Sequence, residues 1–195
     1  MNAAVFLDKD GTLVHDLPYN VDPARMRVRG DAAAALARLA RAGYALLVVS
    51  NQPGVALGMY EERALAALWR HLAAEFAPHG VRFRGFYHCP HHPRGLHPLY
   101  AHPCECRKPR PAMLLRAAFE HDLDLARSWM IGDILDDVEA GRRAGCRTVL
   151  LDVGSETEWR RGAHRRPHFR AASLSEAAAH IVAHRESREP GPWTP

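Results

Sequence analysis

No stretch of this sequence stays apolar for the ~20 residues that a membrane-spanning helix needs, so no membrane partner is expected. The opening residues lack the basic start and long apolar core of a secretory signal, and a cytoplasmic location is the expectation. Charge of one sign is not in excess: 26 Lys and Arg face 22 Asp and Glu, a net +4. That balance gives no argument for a nucleic-acid partner, although it suits an anionic substrate. No helix is studded with base-reading side chains, which tells against a sequence-specific DNA binder. There is no repeat at solenoid periods. Cysteine is scarce, and three of the four, Cys89, Cys104 and Cys106, lie in one histidine-rich loop. In a cytoplasmic protein that placement favours a metal over a disulfide.

What is present is the material of one domain. A chain of 195 residues, 47% of them hydrophobic, can bury a large core. Residues 1–184 are read as a single unit carrying a loop at about 88–110. Residues 185–195, with three prolines and no apolar periodicity, are read as a flexible tail. Apolar runs of strand length occur at Val5–Leu7, Ala45–Ser50, Val81–Tyr87, Ser128–Gly132 and Arg147–Leu151. Helical periodicity falls between them. Asp31 is placed to cap a helix bearing Ala32, Ala35, Leu36 and Leu39, and Gly43 to stop it. Glu61 and Glu62 are read as opening a long helix striped by Leu65, Leu68, Trp69, Leu72 and Phe76. Pro111 starts a third helix, Ile134–Ala144 forms a fourth that Gly145 ends, and Leu174–His184 a fifth. Strands alternating with helices give an α/β fold, a Rossmann-like, mostly parallel sheet with helices on both faces.

The stretch Val5-Phe6-Leu7-Asp8-Lys9-Asp10-Gly11-Thr12 organises the rest. A covered strand ends in two acids two residues apart, at the sheet edge where open α/β proteins bind ligands. Two such carboxylates repel unless a cation lies between them or one keeps its proton. An Asp-rich turn with no chemistry is the bland alternative. Three further segments deliver polar groups to the same edge: Ser50 with Asn51, Arg107 with Lys108, and Asp133 with Asp136 and Asp137. Carboxylates from two strand ends with no nearby His suit a hard ion such as Mg²⁺, with a hydroxyl and a lysine for phosphate oxygens. Phosphate monoesters are so inert uncatalysed that charge neutralisation alone is too little, and a covalent aspartyl phosphate supplies the remainder.

In four ordered motifs the chain resembles the haloacid dehalogenase-like (HAD) phosphatases. Asp8-Lys9-Asp10-Gly11-Thr12 is similar to their first motif, Val49-Ser50-Asn51-Gln52 to the second, Cys106-Arg107-Lys108-Pro109 to the third, and Gly132-Asp133 with Asp137 to the fourth. The resemblance implies Asp8 as the nucleophile, Asp10 as acid and then base, and Ser50 and Lys108 as stabilisers of the transferring oxygens. It implies Mg²⁺ on Asp8, the backbone carbonyl of Asp10, and Asp133, with Asp137 supporting them.

Cys89-Pro90-His91 and Cys104-Glu105-Cys106 supply three thiolates and an imidazole in two close pairs, a set that suits a structural Zn²⁺ with no open position for catalysis. His92, His97 and His102 are alternative ligands. Free thiols or a redox pair are the bland readings. The Cys-Pro-His-His-Pro run, the Cys-x-Cys-Arg-Lys-Pro run and Pro18-Tyr19-Asn20-Val21-Asp22 together resemble the D-glycero-D-manno-heptose-1,7-bisphosphate 7-phosphatases and the related histidinol-phosphate phosphatases. The long interval between the two ligand pairs tilts the reading to the heptose enzymes. That resemblance implies Arg107 as a substrate-recognition residue and Asp16, Tyr19, Asn51 and Gln52 along the substrate's path. Ile134 departs from the pattern, because the heptose enzymes usually carry lysine there. The expected partner is a small phosphorylated metabolite, a sugar phosphate, acted on by a monomer. A polynucleotide 3′-phosphatase and a non-enzymatic zinc module are the rival readings. The five arginines from Arg160 to Arg170 read as an exposed basic face, Trp159 as a surface residue, and Cys146 as a core thiol.

Overall fold

Every other residue along the central strands faces the same helical layer, and the two sets of side chains build two separate cores. In the computed structural model, which describes residues 2–187, strand β1 (Ala4–Leu7) sends Val5 and Leu7 to one face and Ala4 and Phe6 to the other. Strand β2 (Ala45–Asn51) splits likewise, Leu46 and Val48 against Leu47 and Val49. Strand β4 (Trp129–Gly132) sets Trp129 and Ile131 against Met130. Because both faces are covered, these strands read as continuous apolar runs.

With β3 (Phe83–Cys89), β5 (Arg147–Leu151) and β6 (Phe169–Ala171), they form a six-stranded parallel sheet in the order β3-β2-β1-β4-β5-β6. The chain runs outward from β1 to β3 and then returns to the other side of β1, so the crevice between β1 and β4 is a topological switch point. Register makes that crevice chemical. Leu7 pairs with both Val48 and Ile131, so Asp8, Ser50 and Asp133 follow at neighbouring strand ends.

Helices α1 (Ala32–Arg41), α2 (Ala64–Phe76) and α5 (Leu174–Glu186) cover one face, and α3 (Ala112–His121) and α4 (Leu135–Ala144) the other. The α2 stripe of Leu65, Leu68, Trp69, Leu72 and Phe76 is buried as expected. At ~2 kcal/mol per large apolar side chain, it contributes on the order of 10 kcal/mol of gross burial. No helix is long and apolar enough to cross a membrane among the described residues.

Several local expectations are corrected. Asp31 makes no side-chain cap on α1; its carboxylate accepts instead from Ser175 N at the start of α5. Glu61 and Glu62 precede α2, which begins at Ala64, and the Glu62 carboxylate is taken by His88 and Tyr100. The third strand lies two residues later than its apolar run indicated, and β6 was not foreseen. Helix α5 continues through Arg185, whose guanidinium donates to Ala42 O and lies over the Tyr44 ring, so the residues at 185 and 186 belong to the helix and not to a tail. The rest of that tail, residues 188–195, is outside the described residues. Cys146 is buried, and burial pushes its thiol up to about 12, as befits a core residue.

Candidate active site

At the carboxyl end of β1, Asp8 N donates to Ile131 O (3.0 Å), which fixes the end of β1 against β4. The chain then turns tightly, with Leu13 N and Val14 N both donating to Lys9 O (2.9 and 3.1 Å). Gly11 stands in this turn at φ +78°, where only glycine is unstrained. A Cβ there would come within 1.9 Å of Asp133 Oδ2. The bare glycine is therefore what lets Asp133 approach the loop, and Thr12 Oγ1 donates to its other oxygen (3.1 Å).

The structure brings the side chains of Asp8, Asp133 and Asp137 together, one oxygen from each within 4.8 Å of the others, and all three are buried. Lys108 reaches in from the loop before α3. Its Nζ lies 2.5 Å from Asp8 Oδ1 and 2.6 Å from Asp137 Oδ1, and donates to Val49 O (2.9 Å). One lysine faces three carboxylates. Burial, and next the Asp8 charge, raise the Asp133 carboxyl to about 6. Burial also lifts Asp137, against the pull of Lys108, while Lys108, opposed by its own burial, is held protonated by Asp137 and Asp8. A buried group with surplus negative charge and oxygen-only donors fits a hard divalent cation, which would return these acids to their ionised forms. Asp10 is turned away from this group and would meet such an ion only through its backbone. Its side chain faces Lys9 and Gln52, and desolvation raises it above the usual carboxylate range despite Lys9.

Ser50, Asn51 and Gln52 take distinct places. Asn51 clamps the backbone of Lys108 with two bonds, accepting from Lys108 N (3.0 Å) and donating to Lys108 O (3.1 Å). Gln52 is buried, and its Nε2 donates to both Ser50 Oγ (2.8 Å) and Asp10 Oδ2 (3.1 Å). Tyr60, which sequence reasoning missed, donates to Gln52 Oε1 (2.8 Å) and so fixes which way that amide points. Asp16, Tyr19, Asn51 and Gln52 do share one cleft, of about 190 Å³, together with Asp10 and Tyr60. Arg107 is not among the residues lining it. It is half-buried, with Nη1 enclosed and without a hydrogen-bond partner, close enough to His92 for its charge to help lower that imidazole after burial.

The second cluster lies in the loop between β3 and α3. The sulfurs of Cys89, Cys104 and Cys106 are 3.0 to 3.5 Å apart, and His91 Nδ1 is 3.2 Å from Cys106 Sγ and 3.7 Å from Cys89 Sγ. A tetrahedral zinc with Zn–S near 2.3 Å has sulfur–sulfur edges of roughly 3.8 Å, so the four donors sit slightly collapsed around a site of that size. Hydrogen bonding from Cys89 holds the Cys106 thiol down at about 5, and Cys89 is pushed up in return. The donor set fits zinc. His92 and His97 turn their Nδ1 atoms to Arg94 N and Leu99 N, and His102 Nδ1 lies against Pro103 O, so none of the three joins the thiols through that nitrogen.

Because Gly11 has no room for a Cβ, Gly11→Ala should displace Asp133 or the first-motif turn by about an ångström. A shift of that size costs on the order of 10²-fold in turnover, measured as kcat on the best substrate at saturating Mg²⁺. Wild-type activity in this variant would contradict the packing described.

A HAD-hydrolase-like family model matches residues 105–177. The chain is 39% identical over 148 residues to the D-glycero-beta-D-manno-heptose-1,7-bisphosphate 7-phosphatase of Photorhabdus laumondii, covering 76% of this chain and 79% of that one. It is similar to a putative HAD-like phosphatase of Mesorhizobium loti (TM-score 0.82, 33% identity, 98% of this chain and 90% of that one). It is also similar to the D,D-heptose 1,7-bisphosphate phosphatase of B. bronchiseptica, solved with magnesium and phosphate (TM-score 0.75, 27% identity, 93% and 99%).

Proposed function

Since the chain belongs to the HAD phosphatases, in the family of the D-glycero-beta-D-manno-heptose-1,7-bisphosphate 7-phosphatases, we propose that it hydrolyses the 7-phosphate of D-glycero-D-manno-heptose 1,7-bisphosphate to leave the 1-phosphate. The observation that carries the chemistry is the single lysine, Lys108, held against both Asp8 and Asp137 by a clamp from Asn51.

In this reading Asp8 attacks phosphorus, forming a phosphoaspartate as the ester P–O bond breaks, and Asp10 gives its proton to the departing alkoxide. The raised Asp10 carboxyl suits an acid that must still hold its proton when substrate arrives. Asp10 then takes a proton from the water that attacks the phosphoaspartate, which frees Asp8 and releases inorganic phosphate. Lys108 and Ser50 hold the phosphoryl oxygens throughout, and the Tyr60–Gln52 pair keeps Ser50 and Asp10 aligned. Asp8, the Asp10 carbonyl and Asp133 would hold Mg²⁺, with Asp137 supporting them. When bound, the ion neutralises the charge that builds on the phosphoryl group. Cys89, His91, Cys104 and Cys106 would hold a zinc that shapes the loop. We place the substrate against Asp16, Tyr19, Asn51 and Gln52, with Arg107 on its distal side, in a cytoplasmic enzyme.

Ile134 stands where a lysine is usual in the heptose enzymes, and this favours a second reading, histidinol phosphate or another small phosphorylated metabolite. A screen of phosphorylated metabolites with and without Mg²⁺, covering both heptose bisphosphate anomers, histidinol phosphate and a 3′-phosphorylated oligonucleotide, decides between them. The heptose bisphosphate is expected to give the highest kcat/KM, only with Mg²⁺. A higher value for any other compound transfers the assignment to that compound.

A further inference from the structure

The arginine-rich segment after β5 folds back over the outer side of the first turn of α4 and lines an open cavity of about 530 Å³, separate from the cleft at Asp10. The two sides of that turn are used differently. Asp133 and Asp137 face the catalytic group, whereas Leu135 lines the cavity and Asp136 pairs with Arg165 (2.8 Å). The cavity floor is apolar, made by Leu135, Leu150 and Pro167, and no acidic residue lines it.

Its arginines are not equivalent. Arg165 is committed to Asp136 and Glu139, Arg170 to Asp152, and Arg160 to Glu158. Arg161 and Arg166 have no ion pair or hydrogen bond among the described residues, although they open on the same cavity. A plain solvated basic face would not need the remaining component, Trp159. That residue is held at φ +45°, a conformation costly for a large side chain, with its N–H bound to Glu156 Oε1 (3.2 Å). The indole is 47% exposed, and the Arg170 guanidinium covers it at 4.9 Å.

A flat aromatic surface, two unpaired guanidinium groups and an apolar floor in a pocket of small-ligand size recognise one class of molecule well: a planar ring carrying phosphate. The ring stacks on indole, and the guanidinium forks take the phosphate oxygens two at a time. We propose that this cavity is a binding site for a nucleoside phosphate, with the base against Trp159 and the phosphates on Arg161 and Arg166.

Calorimetric titration of the full chain with ADP, without added Mg²⁺ so that turnover is suppressed, tests this directly. One ADP per chain is expected. Trp159→Ala, and separately the double variant Arg161→Ala with Arg166→Ala, should each weaken it about tenfold or more, and Trp159→Phe should restore most of the loss. None of these residues belongs to the catalytic group, so phosphatase activity should stay within about twofold, which separates this site from the function proposed above. The proposal is overturned by absence of ADP binding at millimolar concentration, or by ADP affinity indifferent to these variants. Pyrophosphate binding as tightly as ADP would also overturn it, since the ring would then contribute nothing. So would a ten-residue oligonucleotide binding far more tightly with a steep salt dependence, the mark of an extended polyanion surface.

Discussion

Asp8→Asn is expected to leave a folded protein whose phosphate release falls by about 10⁴-fold or more, to the background of the assay. An asparagine keeps the shape of the side chain and an oxygen for Lys108, but it has no anionic oxygen to attack phosphorus. The fold should tolerate the change because Asp8 is one of three buried carboxylates in a group with one lysine, which pairs with Asp8 and Asp137, and its charge helps raise both Asp133 and Asp137. Removing it relieves repulsion as it removes a partner of Lys108, so the melting temperature should stay within about 4 °C, equivalent to ~1 kcal/mol in a chain of this size. On the ligand set proposed above the same substitution should also weaken Mg²⁺ binding, and kcat alone cannot separate that loss from loss of the nucleophile. Acid quenching of the parent enzyme during turnover of ³²P-labelled substrate does separate them: an alkali-labile label should appear on the peptide containing Asp8. Turnover surviving in Asp8→Asn, or a label on another residue, would remove Asp8 from the nucleophile's place.

Two acids of that group, Asp8 and Asp133, were legible because each follows an apolar strand, and Asp137 sits one turn into the helix that comes next. A strand covered on both faces is a continuous hydrophobic run, and the first polar residues after Leu7, Val49 and Ile131 necessarily arrive at one edge once β1 pairs with β2 and β4. Strand β6 was not legible, since Phe169–Ala171 is three residues long inside an arginine-rich segment and exists through its pairing with β5. What the residues near the site do with their polar groups was hidden for a different reason. Asn51 has the spacing of a substrate contact, yet its amide grips a lysine 57 residues away. Glu62 has the position of a helix opener, yet its carboxylate is shared by His88 and Tyr100. Asp31 looks like a cap for α1 and serves α5. Each of these side chains had a local role that it could play, and each was claimed by a donor brought close only by the sheet. Tyr60 offered no local signal, and its importance rests on a single bond to Gln52.

On the zinc assignment proposed above, loss of the metal should be nearly as damaging as loss of the nucleophile, because the tip of the loop from 88 to 110 has little apolar burial and is otherwise held by polar bonds, such as those from Leu96 N and His97 N to Ala56 O and from Tyr100 Oη to Glu62. Leu96 and Leu99 are 80% and 72% exposed, so apolar burial cannot order their part of it. A structural zinc site contributes on the order of 10 kcal/mol of folding free energy at neutral pH, which is enough to decide the loop's conformation. Two connections carry that order to the catalytic group. Cys106 is two residues before Lys108, and Cys89 O accepts from Gln52 N (2.8 Å), the backbone of the residue that aligns Ser50 and Asp10. Cys106→Ser is therefore expected to lower bound zinc from about one per chain to a small fraction. It should cost on the order of 10³-fold in kcat while the far-ultraviolet circular dichroism of the sheet and helices persists. His91→Ala should lose zinc as well, whereas His92→Ala should keep it, because the His92 Nδ1 is engaged by Arg94 N and not by the thiols. Full activity in chelated, zinc-free protein would mean that the loop holds Lys108 without a metal, and the three cysteines would then be no more than neighbouring thiols.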